Sequence, residues 1–354
     1  MKKKGSYRIK DIALMSGVST GTVDRIIHNR GKVSEEARVL VEEVLKNIDY
    51  RPNLAASALA SKKIYKFIAF IPSFAKGDYW EKVSQGIERA EEELASYHIE
   101  VERLYFDQYD KDSFDKQAAC LDKQEFHGIV VSTLFKESVL ELTSKLDKRS
   151  IPYVLIDAYI ENTKCLAYYG TNSYNSGYIA AKLMYQQINP EDGLAVFRFI
   201  RKGDSCSTQV VKREEGFRAY LNEHNFNGTI YPVHIHADDE AGNRNILDSF
   251  FLLHGNVKAG IIFNSRVHVL GNYFRAKKKK DFKLIGYDIL DENVTYLNNG
   301  LVTHLIAQRP EVQGVNCVRD LFRHLVLKEK VKKMNYMPID ILIEENINYY
   351  NNYI

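Results

Sequence analysis

The sequence predicts a parallel α/β body in two lobes behind a small all-helical head. Three observations carry this. From Lys66 onward, short apolar runs alternate with segments of helical periodicity. Ahead of that point, two short amphipathic segments flank a glycine, and a longer amphipathic segment follows. The charge also divides: residues 1–66 hold 14 Lys/Arg against 7 Asp/Glu, and the remainder holds 35 against 39. The chain total of +3 therefore hides a basic head on a mildly acidic body. A basic head is the electrostatic footprint that phosphate contacts require.

The head reads IKDIALMSGVSTGTVDRIIHN over residues 9–29. Ile9, Ile12, Ala13 and Met15 give the first segment a buried face. Gly17 ends it, because glycine turns there without steric cost. Ser19 reads as an N-cap, and Thr22 or Val23 begins a second helical face with Ile26 and Ile27. Helix, short glycine turn, helix is the helix-turn-helix pattern. Such a unit places the start of its second helix in the major groove of DNA.

A third helix is expected over residues 34–48. Ser34 is its N-cap, with Glu35 and Glu36 in the favourable first turn. Ala37, Leu40, Val41, Val44, Leu45 and Ile48 form its apolar stripe. Pro52 then disfavours helix at Arg51. Asn53 can cap a short helix from Leu54 to about Ser61, which is marginal in isolation because nucleation is costly.

The run IKDIA…GVS…TV.R, followed by VSEEAR and YRPN..A..L, resembles the N-terminal domain of the LacI/GalR family of bacterial transcription regulators over residues 8–63. The resemblance implies a homodimer, or a tetramer, on a roughly palindromic double-stranded operator. It implies that Thr20, Gly21 and Arg25 present the base-reading face, with Thr22 a further DNA-contact candidate. Arg25 can bond a guanine edge bidentately. Gly21 departs from the family pattern, since it has no side chain to read a base. Asp24 also departs, and either orients Arg25 or accepts from cytosine. Residues 52–66 match the family's hinge and linker. There the resemblance implies that Leu59 wedges into a base step, which kinks the duplex. Asn53 and Ser57 are further DNA-contact candidates.

In the body, strands are expected at 67–71, 101–106, 128–132 and 152–157, with helices near 80–96, 112–123 and 136–148 between them. AVFRFI, GIIFN and FKLIGYD repeat the rhythm in the second half. Runs that are apolar throughout read as strands buried on both faces of a parallel sheet. About 285 residues exceed one such core and suggest two lobes. Ligands in these folds sit beyond the carboxyl ends of strands. The residues there are Tyr79, Trp80, Asp157, Asn264, Asp288 and Gln308, with Arg213 at a helix start. Aromatic faces beside planar polar side chains suit a sugar.

Residues 67–345 resemble the periplasmic sugar-binding (type I) fold found behind the DNA head in LacI/GalR proteins. The YW…V..G and IAQRPEVQG runs are similar to ribose-type binding proteins. Carried over by position, Tyr79 and Trp80 would flank the ring, and Asp157, Arg213, Asn264, Asp288 and Gln308 would bond its hydroxyls. Ala158 replaces a frequent Arg, Gly77 a frequent Asn, and Asn172-Ser173 a common Asp-Asn pair. Arg213 and Lys82 leave room for an acidic or phosphorylated ligand. The implied domains are a head at 1–51, a hinge at 52–66 and an effector domain at 67–354. Within the last, an N-lobe takes about 67–169 and 309–335, and a C-lobe about 170–308 and 336–354.

Other signals are weaker. Met1 to Ser6 lacks the apolar run of a secretory signal, and no 18-residue apolar stretch follows, so a cytoplasmic protein without a membrane partner is expected. Cys120, Cys165, Cys206 and Cys317 show no paired spacing and read as reduced thiols. His234 and His236 alternate on a strand without further metal ligands. Residues 170–177 are flanked by glycines but lack a phosphate-loop pattern. Lys277 to Lys280 reads as a solvated turn, and residues 346–354 as a surface strand and tail. No nucleophile elbow, dinucleotide fingerprint or cofactor motif is present, so an enzyme is not expected. The reading is a ligand-controlled DNA-binding regulator, in all expectation a repressor. Its alternatives are a non-sugar effector, a transport-binding protein, or an α/β enzyme.

Overall fold

The computed structural model describes residues 7–27, 30–48, 50, 54–200, 207–236, 239–279 and 281–353. The chain divides into two compact units, Met1–Ser61 and Lys62–Ile354. Asn53, Cys206 and Lys280 lie outside the described residues, as does the side chain of Ser57.

The first unit holds α1 (Ile9–Ser16), α2 (Thr20–Ile27), α3 (Glu35–Asn47) and α4 (Leu54–Ala60). Gly17 ends α1 in the left-handed conformation, φ 71°. Ser19 Oγ accepts from the Thr22 amide at 3.2 Å, so α2 begins earlier than the apolar face suggested. Ser34 caps α3 by accepting from Ala37 at 3.4 Å. Ile12, Val23, Ile26 and Val41 form the core of the three helices. Two expected core residues are exposed instead, Met15 on α1 and Leu40 on α3. Ser16 takes an inward place on α1, its hydroxyl donating to the Ile12 carbonyl at 2.8 Å.

The second unit is built on two six-stranded sheets. The chain runs β1 (Tyr65–Pro72), α5 (Tyr79–Glu93), β2 (Ile99–Phe106), α6 (Lys111–Cys120), β3 (Gly128–Ser132), α7 (Lys136–Lys148), β4 (Tyr153–Ile156) and β5 (Ala167–Gly170). It continues with α8 (Ser173–Tyr185), β6 (Gly193–Phe199), α9 (Thr208–Glu223), β7 (Ile230–Ile235), α10 (Glu240–Leu253), β8 (Val257–Ile262), α11 (His268–Ala276), β9 (Lys283–Tyr287), α12 (Asp291–Asn298) and β10 (His304–Ala307). Last come α13 (Pro310–Leu325), β11 (Met334–Tyr336) and β12 (Asp340–Leu342).

The first sheet has the order β11-β5-β4-β3-β1-β2 and is parallel throughout. The second has the order β12-β10-β9-β8-β6-β7, with β12 antiparallel to β10. The chain passes between lobes after β5, after β10 and after β11, so α13 packs on the first sheet although it follows the second. Apolar side chains fill both faces of the second sheet, Phe197, Val233 and Leu284 on one and Val196, Phe217 and Ile285 on the other. Burial on both faces is what the unbroken apolar runs encode.

One expectation near the surface is corrected. Residues Ile347–Tyr353 form a 3-10 segment rather than a strand. Ile347 is buried, and the Tyr350 hydroxyl donates to Asp340 at 3.2 Å, which ties the segment down. In the Lys277–Lys280 run, Lys277 and Lys278 are exposed in a turn, as expected, and Lys279 is half-buried. Lys277 pairs with Asp248 at 2.6 Å, and the Lys279 ammonium sits 4.2 Å from the Phe251 ring centre. Among the described residues, no helix is long and apolar enough to cross a membrane.

Candidate functional site

The first unit presents one candidate nucleic-acid surface. On α2, Val23 and Ile26 turn inward, while Thr20, Gly21 and Arg25 are exposed and Thr22 is half-buried. This is the outcome of a 3.6-residue period with apolar residues at 23, 26 and 27. A Cβ at Gly21 would lie 4.0 Å from Arg25 Nη2. The guanidinium therefore folds toward the helix start, and Gly21 keeps the surface beside it open. On α4, Leu59 is 53% exposed and Leu54 37%. An outward leucine on a seven-residue helix is an apolar group with no core to serve in its own element.

The second unit gathers polar and aromatic side chains at the carboxyl ends of its strands. Asp157 follows β4 and Asp288 follows β9, and the two are equivalent. Each ends its strand with a positive φ, 89° and 65° respectively. Each amide donates to the neighbouring strand, Asp157 to Tyr169 and Asp288 to Ile306. Left-handed backbone is uncommon for a residue with a side chain, although aspartate tolerates it better than most. The conformation turns both carboxyls into the cleft between the sheets.

Tyr79 and Trp80 begin α5, and their rings meet edge to face at 5.1 Å. They line a cavity of about 90 Å³ together with Asp157, Asn264, Asp288 and Gln308. Six of the seven predicted ligand residues thus share one cavity. Arg213 is the exception. It is 1% exposed and stands behind the cavity wall, its guanidinium 3.9 Å from the Tyr287 ring centre. Nη1 donates to the Phe263 carbonyl at 2.7 Å, and Nη2 to Gln308 Oε1 at 2.9 Å. Lys82 is exposed and borders a small neighbouring void rather than this cavity, which removes it from the expected phosphate contacts.

Gln308 is the centre of a buried network. Its Nε2 donates to Asp288 Oδ2 at 3.1 Å, while its Oε1 accepts from Arg213 and from Gln209 Nε2 at 3.3 Å. Gln209 Nε2 also donates to Asp157 Oδ1 at 2.6 Å. The two carboxylates are joined through two glutamine amides. Burial pushes the Asp288 carboxyl up to about 7, against the pull of Arg213 and Gln308. Burial likewise raises the Tyr79 hydroxyl, helped by the nearby Asp157 and Asp288 charges. Asp288 Oδ1, Arg213 Nε and Tyr79 Oη are buried without a protein partner. Buried polar groups ordinarily have partners, so the two such atoms on cavity-lining residues, Asp288 Oδ1 and Tyr79 Oη, mark a place suited to a polar guest.

Reading the sequence missed Gln209, Arg198, Arg266 and the phenyl rings of Phe197 and Phe199, all in the cavity lining. Gln209 had a usable signal: it lies four residues before Arg213, and so on the same face of a helix. Arg198 is held by Glu214, which Arg218 also holds at 2.8 Å. One carboxylate is thus shared between two guanidiniums, and the Arg198 charge is only partly offset. Arg266 joins the cavity to an outer hollow of about 620 Å³ at the cleft mouth. Among the described residues, no group of three or more His, Cys, Asp or Glu is placed to hold a metal.

A helix-turn-helix head and a two-sheet cleft body define a DNA-binding regulator with a periplasmic-binding-protein-like domain. Residues 8–53 match the bacterial regulatory proteins of the lacI family, and residues 68–330 match the periplasmic binding protein domain. A solved structure from Bacteroides fragilis, described as a LacI transcriptional regulator, is 38% identical with a TM-score of 0.78. It covers 82% of this chain and 100% of its own. The ribose operon repressor of Halalkalibacterium halodurans is 24% identical over 340 residues, 94% of this chain and 92% of that one. The transcriptional repressor PurR of Histophilus somni strain 2336 is 24% identical over 350 residues, 96% and 98% of the two chains. This chain belongs to the LacI family of bacterial regulatory proteins.

Proposed function

We propose that the protein is a repressor whose affinity for a palindromic operator is set by a sugar or sugar derivative bound between the lobes. The observation that carries this reading is the buried Asp157–Gln209–Gln308–Asp288 chain beside Tyr79 and Trp80. Sugars offer hydroxyl pairs to planar amides and carboxylates, and ring faces to aromatic side chains. The ribose operon repressor among the relatives supports the same ligand class. In this reading Thr20, Gly21, Thr22 and Arg25 face bases, and Asn53, Ser57 and Leu59 serve the operator centre. Two chains act together as a dimer. The sugar binds the closed arrangement of the lobes better than the open one and shifts the population toward it. Differential affinity is what couples the ligand to DNA.

Trp80 is the single tryptophan of the chain and lies in the cavity wall. Titration of its fluorescence with pentoses, hexoses, sugar phosphates and sugar acids tests the reading. A saturable change with one class, accompanied by a change in operator affinity, supports it. Folded protein that responds to none of them overturns the sugar assignment and leaves the DNA-binding role standing.

A further inference from the structure

We infer that the effector is a glycoside of at least two sugar units, with one terminal ring in the cavity and the next unit in the outer hollow at the cleft mouth. This rests on the sugar reading above and names the ligand class within it. The hollow, about 620 Å³, is lined from both lobes. The first lobe contributes the turn at residues 75–78, and the second contributes Arg266, His268 and the starts of α10 and α12. Pockets for small molecules commonly span ~300–1,000 Å³, so the hollow is large enough to be a binding site in its own right. It also continues the cavity along the same two stretches of chain. The turn at 75–78 leads directly into Tyr79 and Trp80, and Asn264 and Ser265 of the cavity lead into Arg266, which lines both spaces.

The walls of the hollow are held in place by the fold, as a binding site requires. In the first lobe, Asp78 Oδ2 accepts from the Ala75 amide at 2.8 Å, and Glu81 Oε2 accepts from the Gly77 amide at 2.6 Å. Gly77 has φ 89°, and a Cβ there would meet nothing within 4 Å, so the turn leaves open space above it. In the second lobe, His268 Nδ1 lies 3.1 Å from Asn293 Oδ1, and its Nε2 lies 3.2 Å from Glu292. Asn293 is fully buried, and its Nδ2 donates to the carbonyls of Ser265 and Asp288 at 2.7 and 3.0 Å. One amide thus ties the wall of the hollow to the strand end that carries Asp288 into the cavity. The lining offers acceptors at Asp78, Glu240 and Asp291 and donors at Lys76, Arg266 and Asn272. A neutral polyhydroxylated unit finds partners of both kinds there, because each hydroxyl both donates and accepts. An anionic group would meet carboxylates from both lobes. The second unit is therefore a neutral sugar.

Glu240 and Asp291 are exposed first residues of their helices, so the double variant Glu240→Leu, Asp291→Leu replaces two acceptors of the hollow without touching a core. The experiment is calorimetric titration of the full chain with xylose and xylobiose, glucose with cellobiose and maltose, mannose and mannobiose, and galactose and galactobiose. Each disaccharide carries the same sugar at both ends, so the same ring is tested whichever end enters the cavity. The wild type should bind one disaccharide at least about tenfold more tightly than its own monosaccharide, the scale of a single hydrogen bond to a charged group. The double variant should lose that preference while keeping its monosaccharide affinity, with operator binding and thermal unfolding retained as evidence of folded protein. A preference retained in the variant, or both affinities lowered alike, overturns the inference, since the second unit would then not rest on these groups. A wild type that binds the monosaccharide as tightly as the disaccharide also overturns it, while the sugar reading survives. A wild type that binds none of the panel removes the sugar reading and this inference together.

Discussion

Gly177 and Arg213 meet backbone to backbone: a Cβ added to Gly177 would collide with the Arg213 carbonyl. The contact is reciprocal between the two helices, since a Cβ on Gly216 would collide with the carbonyl of Tyr174. Helices α8 and α9 therefore approach as closely as two glycines permit, and this contact sets where Arg213 stands beneath Gln308. Gly86 on α5 and Gly314 on α13 repeat the device in the other lobe, against Glu311 and Val83.

Gly177→Ala should force the helices apart and destabilise the protein by about 1–3 kcal/mol, the usual scale of overpacking. Ligand affinity should fall as well, because Arg213 moves with α9. Denaturant unfolding and titration of the same variant check both effects. A stable variant with normal ligand affinity would show that the helix contact is loose.

Arg25→Ala should relax discrimination at one operator base pair by about 1–3 kcal/mol. Competition binding against single-base operator variants measures this. Equal weakening on every sequence would place Arg25 on phosphate instead.

Leu59 is half-exposed on a short helix that offers it no core. Leu59→Ala should leave the fold intact and remove the operator kink, since wedging of an apolar side chain is what unstacks a base step. Gel mobility of circularly permuted operator fragments reports the bend, and an unaltered bend would rule out the wedge.

Asp288 gives the ligand response a pH dependence. Its carboxyl lies at about 7 in the folded protein and near ~3.9 unfolded. Between those values the folded state holds the extra proton, so this group makes stability fall as pH rises from about 4 to about 7. Asp288→Asn should flatten that fall. A sugar hydroxyl donating to the ionised carboxylate favours ionisation, so affinity should climb with pH and level off above about 7. Calorimetry across that range checks it. The opposite slope would mean that the protonated acid donates to the ligand.

Much of this molecule is written locally. The caps at Ser19 and Ser34, the stop at Gly17 and the apolar runs of β1, β3, β4, β6, β8 and β9 follow from adjacent residues. So do six of the cavity residues, because strand ends are visible in a sequence and ligands gather there. The short strands β5, β7, β10, β11 and β12 were not legible. Their runs are brief or mixed, and they become strands through pairing with neighbours distant in sequence. Met15 and Leu40 fit an apolar period yet face outward, because a small three-helix core has room for only part of each stripe.

The sequence by itself determined the class of protein: a basic helix-turn-helix head, a two-lobed parallel α/β body, and acids, amides and aromatics at strand ends. Tertiary structure decided which of those groups act together. Arg213 went behind the wall, Lys82 went outside it, and Gln209 entered it to bond Asp157 across the lobes. The physical reason is that helix and strand signals act over a few residues. Partnership between buried polar groups is settled by elements distant in sequence closing on one another, as α8 and α9 do where Gly177 lets Arg213 approach, and as Gln209 does where it crosses to Asp157 of the other lobe.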